Sequence, residues 1–132
     1  MTKRQVKKYL IEHYQGKKVL FGDYDFEITK GDRTFCILFL KMGNNAQLTV
    51  NSKTFFEVAN GQRDGIRFIK KQSTLHNFSK FSLKKNKIIF MIGKPFRILQ
   101  YLNESDIVDI SDKTVVHDYR LFTSIKDFKT LE

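Results

Sequence analysis

Two short, almost purely apolar runs, Phe35–Leu40 and Ile88–Ile92, constrain the fold of this chain more than any other sequence feature. Each is far shorter than the roughly 20 apolar residues that a membrane-spanning helix requires. A run of this length, bounded by turn-forming residues and apolar at consecutive positions, is typical of a strand buried on both faces. The two runs therefore predict central strands of a sheet, and no membrane span.

The other periodic segments predict further strands and helices. Apolar residues at helical spacing over Thr2–Gln15 predict a first helix, with Thr2 as its N-cap and Gly16 as its stop. Two more helices are expected at Ser52–Ala59 and after Gly93-Lys94-Pro95 to about Leu102. The remaining predicted strands are Lys18–Phe21, Tyr24–Ile28, Gln47–Asn51, Ile66–Lys70, Ile107–Ile110 and Val115–Leu121.

The chain length sets the domain organisation that we expect. With 132 residues, the chain can form one hydrophobic core but hardly two, and its 13 Phe and no Trp predict a core rich in phenylalanine. We therefore predict the α+β class: a single domain over residues 1–132 with a mainly antiparallel sheet and two or three helices. The one cysteine, Cys36, is expected to be buried and suits a cytoplasmic location.

The positive charge is concentrated in two blocks of the sequence. The net charge is +10; residues 1–22 hold six basic and one acidic residue, and residues 65–103 hold nine basic and no acidic residue. Such a field attracts polyanions, so nucleic acid, either DNA or RNA, is the expected partner. An acidic surface on another protein is the alternative partner, and no membrane is expected.

Two further explanations of this charge stay open. Of the 24 basic residues 18 are lysine, whereas readers of phosphates and bases favour arginine, so the lysine excess could reflect an AT-rich genome. The segment 104–132 holds seven acidic and four basic residues, and it could pack against the basic blocks and neutralise them.

The candidate binding residues follow from these blocks. Basic residues crowd the first turns of the predicted helix, where the helix dipole favours acids; this suggests an external anion there, and a merely solvated face is the alternative. In the acid-free block, Phe78 and Phe81 lie in a polar stretch and are the candidates for stacking on bases. The predicted nucleic-acid-binding residues are Lys3, Arg4, Lys7, Lys8, Arg67, Lys70, Lys71, Phe78, Lys80, Phe81, Lys84, Lys85, Lys87, Lys94 and Arg97.

An enzymatic function has less support in the sequence. No phosphate-binding loop, nucleophile elbow or zinc-ligand spacing is present. The predicted order helix, three strands, helix, strand over residues 2–70 resembles the core of PD-(D/E)XK nucleases. That resemblance implies Asp25 or Glu27 as a metal ligand and Lys41 as the motif lysine, but Phe39 stands where the motif needs an acid.

We therefore expect a non-enzymatic nucleic-acid-binding protein without catalytic residues, metal or cofactor. The alternatives are a small regulator or inhibitor that binds another protein through its basic surface, and a nuclease-like enzyme with an incomplete PD-(D/E)XK-type motif.

Overall fold

The computed structural model describes residues 1–43, 45–65 and 67–131. In chain order its elements are α1 (Lys3–Tyr14), β1 (Lys17–Lys18), β2 (Phe26–Lys30), β3 (Arg33–Lys41), β4 (Ala46–Val50), β5 (Phe55–Asp64), β6 (Arg67–Asn77), a first 3-10 helix (Phe81–Leu83), β7 (Lys87–Ile92), β8 (Arg97–Tyr101), β9 (Ile107–Asp109), β10 (Val115–Val116), β11 (Tyr119–Phe122) and a second 3-10 helix (Ile125–Leu131).

The residues pack into two compact units, each assembled from segments that are distant in the sequence. Unit 1 contains residues 1–41, 83–92 and 114–132, and unit 2 contains residues 42–82 and 93–113. The sequence-based expectation of a single domain stays a prediction.

A six-stranded sheet in the order β1-β2-β3-β7-β11-β10 forms unit 1. The two apolar runs lie side by side at its centre, because β3 pairs in parallel with β7, with Phe39 opposite Phe90. Strand β7 also pairs in parallel with β11, and the outer strand pairs are antiparallel. Both predicted central strands are confirmed, and Cys36 on β3 is buried as expected.

Helix α1 packs its apolar stripe into the core of unit 1. Its buried residues Val6, Leu10 and Tyr14 join a core cluster that is rich in phenylalanine, as predicted. Thr2 is the N-cap and forms a capping box with Gln5, which confirms the predicted helix start. The helix ends at Gln15, which takes the left-handed conformation in place of the predicted glycine stop.

Unit 2 is a five-stranded sheet in the order β6-β5-β4-β8-β9. Strand β4 pairs in parallel with β8, and the other three pairs are antiparallel. The buried side chains of this unit include Leu48, Phe56 and Val58.

Both predicted helices within unit 2 are wrong. Ser52 does not cap a helix: its hydroxyl accepts hydrogen bonds from the backbone N–H groups of Thr54 and Phe55 and closes a turn into β5. The segment after Pro95 is strand β8, because its backbone pairs with β4 on one side and β9 on the other. In both cases hydrogen bonds to neighbouring strands determine the conformation of a short segment whose own helical signal is weak.

Other predicted bounds also change. The first short strand ends at Lys18, and Leu20 and Phe21 beyond it are exposed. The strand predicted at residues 66–70 extends to Asn77, and its first residue lies outside the described part of the chain.

The predicted α+β class stands. The described residues contain one α-helix and two 3-10 helices. Six of the nine strand pairs among them are antiparallel, although each sheet is mixed.

Candidate nucleic-acid interface

The first basic surface lies in unit 1 and is called the helix surface. It comprises Lys3, Arg4, Lys7 and Lys8 on α1 together with Lys18 at the end of β1. The ammonium groups of Lys3 and Lys7 lie over the ring of Phe39, at 5.4 Å and 5.9 Å from its centroid. Val6 and Leu10 are buried, and Lys3 and Lys7 lie along the edge of the same stripe, where their ammonium groups reach Phe39 of the core cluster.

The electrostatics of the helix surface favour an anion. Burial, followed by repulsion from the ammonium groups of Lys3 and Lys18, lowers the pKa of Lys7, and Asp25 acts in the opposite direction. Within residues 1–43, 45–65 and 67–131, none of the five basic side chains forms an ion pair. The first turn of α1 also contains no acid. A phosphate placed here would relieve the repulsion among the lysines.

The second basic surface is the outer half of the β5–β6 hairpin, residues 60–64 and 67–72, which we call the ribbon. Most of its described side chains are exposed on both faces. The ring of Phe68 lies 5.1 Å from that of Phe96, and the guanidinium groups of Arg63 and Arg97 lie over Phe96 at 4.8 Å and 5.4 Å. Phe68 and Arg63 of the ribbon therefore lie beside Phe96, which is in the same unit but outside the ribbon.

Three residues predicted to bind nucleic acid are buried and must be withdrawn. Phe78 and Phe81 are 5% and 1% exposed, and their rings pack against each other at 6.0 Å, so neither can stack on a base. Lys87 is 1% exposed, and its ammonium forms an ion pair with Asp118 at 2.7 Å. Because Asp118 belongs to the acidic segment 104–132, internal neutralisation of basic charge, one of the alternatives, occurs at this position.

The other predicted residues are found in both units. Lys3, Arg4 and Lys8 are exposed on the helix surface, and Lys7 is partly exposed. Arg67, Lys70 and Lys71 are exposed on the ribbon, where Lys70 pairs with Glu57 at 3.2 Å, and Arg97 is half-buried beside Phe96. The remaining exposed lysines are Lys80 and Lys94 in unit 2, and Lys84 and Lys85 in unit 1.

The residues implied by the nuclease resemblance have structural contacts instead. The Asp25 carboxylate accepts a hydrogen bond from the backbone N–H of Phe39 at 2.8 Å. Glu27 pairs with Lys17 at 3.2 Å and accepts a hydrogen bond from the hydroxyl of Tyr24. In the part of the chain that the structure describes, no three acidic, histidine or cysteine side chains are close enough to hold a metal. The element order that suggested the resemblance also fails, because residues 55–64 form a strand.

Sequence reasoning missed several residues of these surfaces. Lys18 is the first residue of the predicted strand Lys18–Phe21, and Arg63 lies outside the acid-free block. The dipeptide Asp64-Gly65 between two potential strands is a strong hairpin signal that would have located the ribbon and its Arg63.

Comparison with protein-family models, curated proteins and solved structures finds no match for this chain. No helix in the described residues is long and apolar enough to cross a membrane.

Proposed function

We propose that this protein binds nucleic acid without catalysing a reaction on it, and that the helix surface contacts the phosphate backbone. The observation that supports this most directly is the position of Lys3 and Lys7 over the Phe39 ring, within a group of five basic side chains that form no ion pair with any described acid. Lysine contacts to phosphate give affinity without reading base sequence.

The test is binding of the purified protein to labelled DNA and RNA oligonucleotides across a salt series. We expect tight binding at low salt that weakens steeply as salt rises. The double variant Lys3→Gln/Lys7→Gln should bind about tenfold more weakly at low salt. Its slope of log affinity against log salt should be shallower by about 1.4 to 1.8, because two phosphate contacts are lost.

A matched control separates this site from net charge alone. Lys126→Gln/Lys129→Gln removes two exposed lysines from the second 3-10 helix of the same unit, and it should bind like the unchanged protein. Equal weakening by both double variants would show that overall charge, and not the helix surface, governs binding. Absence of binding at low salt would reject the function and leave an acidic protein surface as the partner that suits these cations.

A further inference from the structure

The loop between β1 and β2 exposes an aromatic ring almost completely. Phe21 is 98% exposed and its neighbour Leu20 is 73% exposed. Of the 13 phenylalanines in the chain, nine are buried, so full exposure is an exception to how this protein uses the residue. Phe21 and Leu20 therefore present adjacent apolar side chains that a ligand could cover.

The loop that carries Phe21 is held at its base. The backbone N–H of Val19 donates to the carbonyl of Asp25 at 3.1 Å, and that of Asp25 donates to the carbonyl of Ile37 at 2.9 Å. The Asp25 carboxylate also accepts from the backbone N–H of Phe39, so the end of the loop is attached to the central strand β3. The ring is therefore presented by a short, anchored loop.

The charges near the loop suit a polyanion. Lys17 and Lys18 precede it and are exposed, and Lys18 is close enough to Lys7 to affect its ionisation. Asp23 is the exposed acid of the loop, and Glu27 already pairs with Lys17. The apolar area of one phenylalanine and one leucine is far below that of a stable protein interface, but one ring matches the face of one base.

We infer that the ring of Phe21 stacks on an unpaired base, so that the polymer bound by the helix surface is single-stranded. This inference rests on the proposed function and adds the class of nucleic acid. Lysines of the helix surface would hold the phosphates while Phe21 takes a base beside them, which is the combination used by single-strand binders without sequence preference. A duplex offers no free base face, so it would gain only the phosphate contacts.

The absence of tryptophan from the chain allows a direct test. In Phe21→Trp the introduced indole is the only tryptophan, and its fluorescence should be quenched when oligo(dT) is added. Quenching should saturate at the affinity measured independently with labelled oligonucleotide. The Phe21→Ala variant should bind oligo(dT) about tenfold more weakly with an unchanged salt slope, because the lost contact is uncharged.

The controls are a duplex of matched length and a second exposed apolar residue. The unchanged protein should prefer oligo(dT) over the duplex by about tenfold, and Phe21→Ala should remove that preference. Leu83→Ala, which truncates a side chain that is 82% exposed in the same unit, should bind like the unchanged protein.

The outcomes separate this inference from the proposed function. If oligo(dT) binds without quenching the indole, and Phe21→Ala binds normally, the stacking inference is wrong while nucleic-acid binding stands. An emission shift to the blue with vesicles of anionic lipid, without quenching by oligo(dT), would overturn stacking in favour of a lipid contact. If no variant binds any nucleic acid at low salt, the proposed function fails and stacking fails with it.

Discussion

Lys87 belongs to the basic block of residues 65–103, and its side chain is buried. It begins β7, and its backbone position turns the side chain inward, where the ammonium meets the carboxylate of Asp118 and lies 4.8 Å from the centroid of the Tyr119 ring. A buried charge is tolerated when it is paired in this way. Tyr119 is itself fully buried, and burial raises its pKa to about 12.

The shifted pKa of Tyr119 predicts a loss of stability at high pH. The unfolded phenol has a pKa of about 10, so above that pH the unfolded state loses this proton while the folded state keeps it. The free energy of unfolding should therefore fall between pH 10 and 12, by about 1 kcal/mol per pH unit from this group. Urea unfolding at successive pH values measures this fall in the free energy of unfolding.

The variant Tyr119→Phe should make that pH dependence shallower, whereas Tyr101→Phe, which removes an exposed phenol, should not. If the free energy of unfolding fell equally steeply with pH in Tyr119→Phe and in the unchanged protein, the Tyr119 phenol would not be the group responsible.

At the scale of elements, the ribbon depends on a close approach of its two strands. The register of β5 and β6 shifts between Asn60 and Gly61, which marks a β-bulge. A Cβ at Gly61 would collide with the carbonyl oxygen of Ile69 and would lie 2.8 Å from the Phe68 ring. Glycine is therefore required here by packing, and it lets Phe68 reach its contact with Phe96.

We expect Gly61→Val to lower the free energy of unfolding by about 2 kcal/mol, because the strands must separate to admit the side chain. A valine at the neighbouring exposed position, in Gln62→Val, places its side chain in solvent and should change the free energy of unfolding by less than about 0.5 kcal/mol. Urea unfolding of the two variants tests this. Similar midpoints for both would mean that the strands can accommodate a side chain at residue 61.

At the scale of the whole molecule, each unit is discontinuous in sequence. The C-terminal residues 114–132 supply β10, β11 and the second 3-10 helix to the same unit as α1. Phe122 and Phe128 from this segment belong to the core cluster that also buries Val6 and Leu10. The two ends of the chain therefore stabilise one another's packing.

Truncation after Lys113 tests this arrangement. It removes the parallel partner of β7 and several core side chains, so we expect α1 to lose most of its helical circular-dichroism signal, since a helix of 12 residues is marginal alone. Removal of Met1 alone, which keeps the Thr2 N-cap, is the control for loss of a terminal residue and should leave most of the helix. An unchanged helical signal in the truncated chain would show that α1 folds without residues 114–132.

The sequence by itself determined the elements whose signal is local. Strands β3 and β7 follow from short apolar runs bounded by turn-forming residues. Helix α1 follows from its apolar stripe and from Thr2, which is a favoured N-cap residue. The exposure of Arg4 and Lys8 follows from the same stripe, because a helix with one face in the core turns the other outward.

Only the tertiary structure decided the rest. Residues 52–59 and 95–102 have short, ambiguous patterns, and the strands beside them provide the hydrogen bonds that make β5 and β8. Phe78 and Phe81 are buried although their neighbours in sequence are polar, while Phe21 is exposed although it follows an apolar pair. Burial of one side chain depends on which segments the fold brings against it, and those contacts join residues that are far apart in the chain.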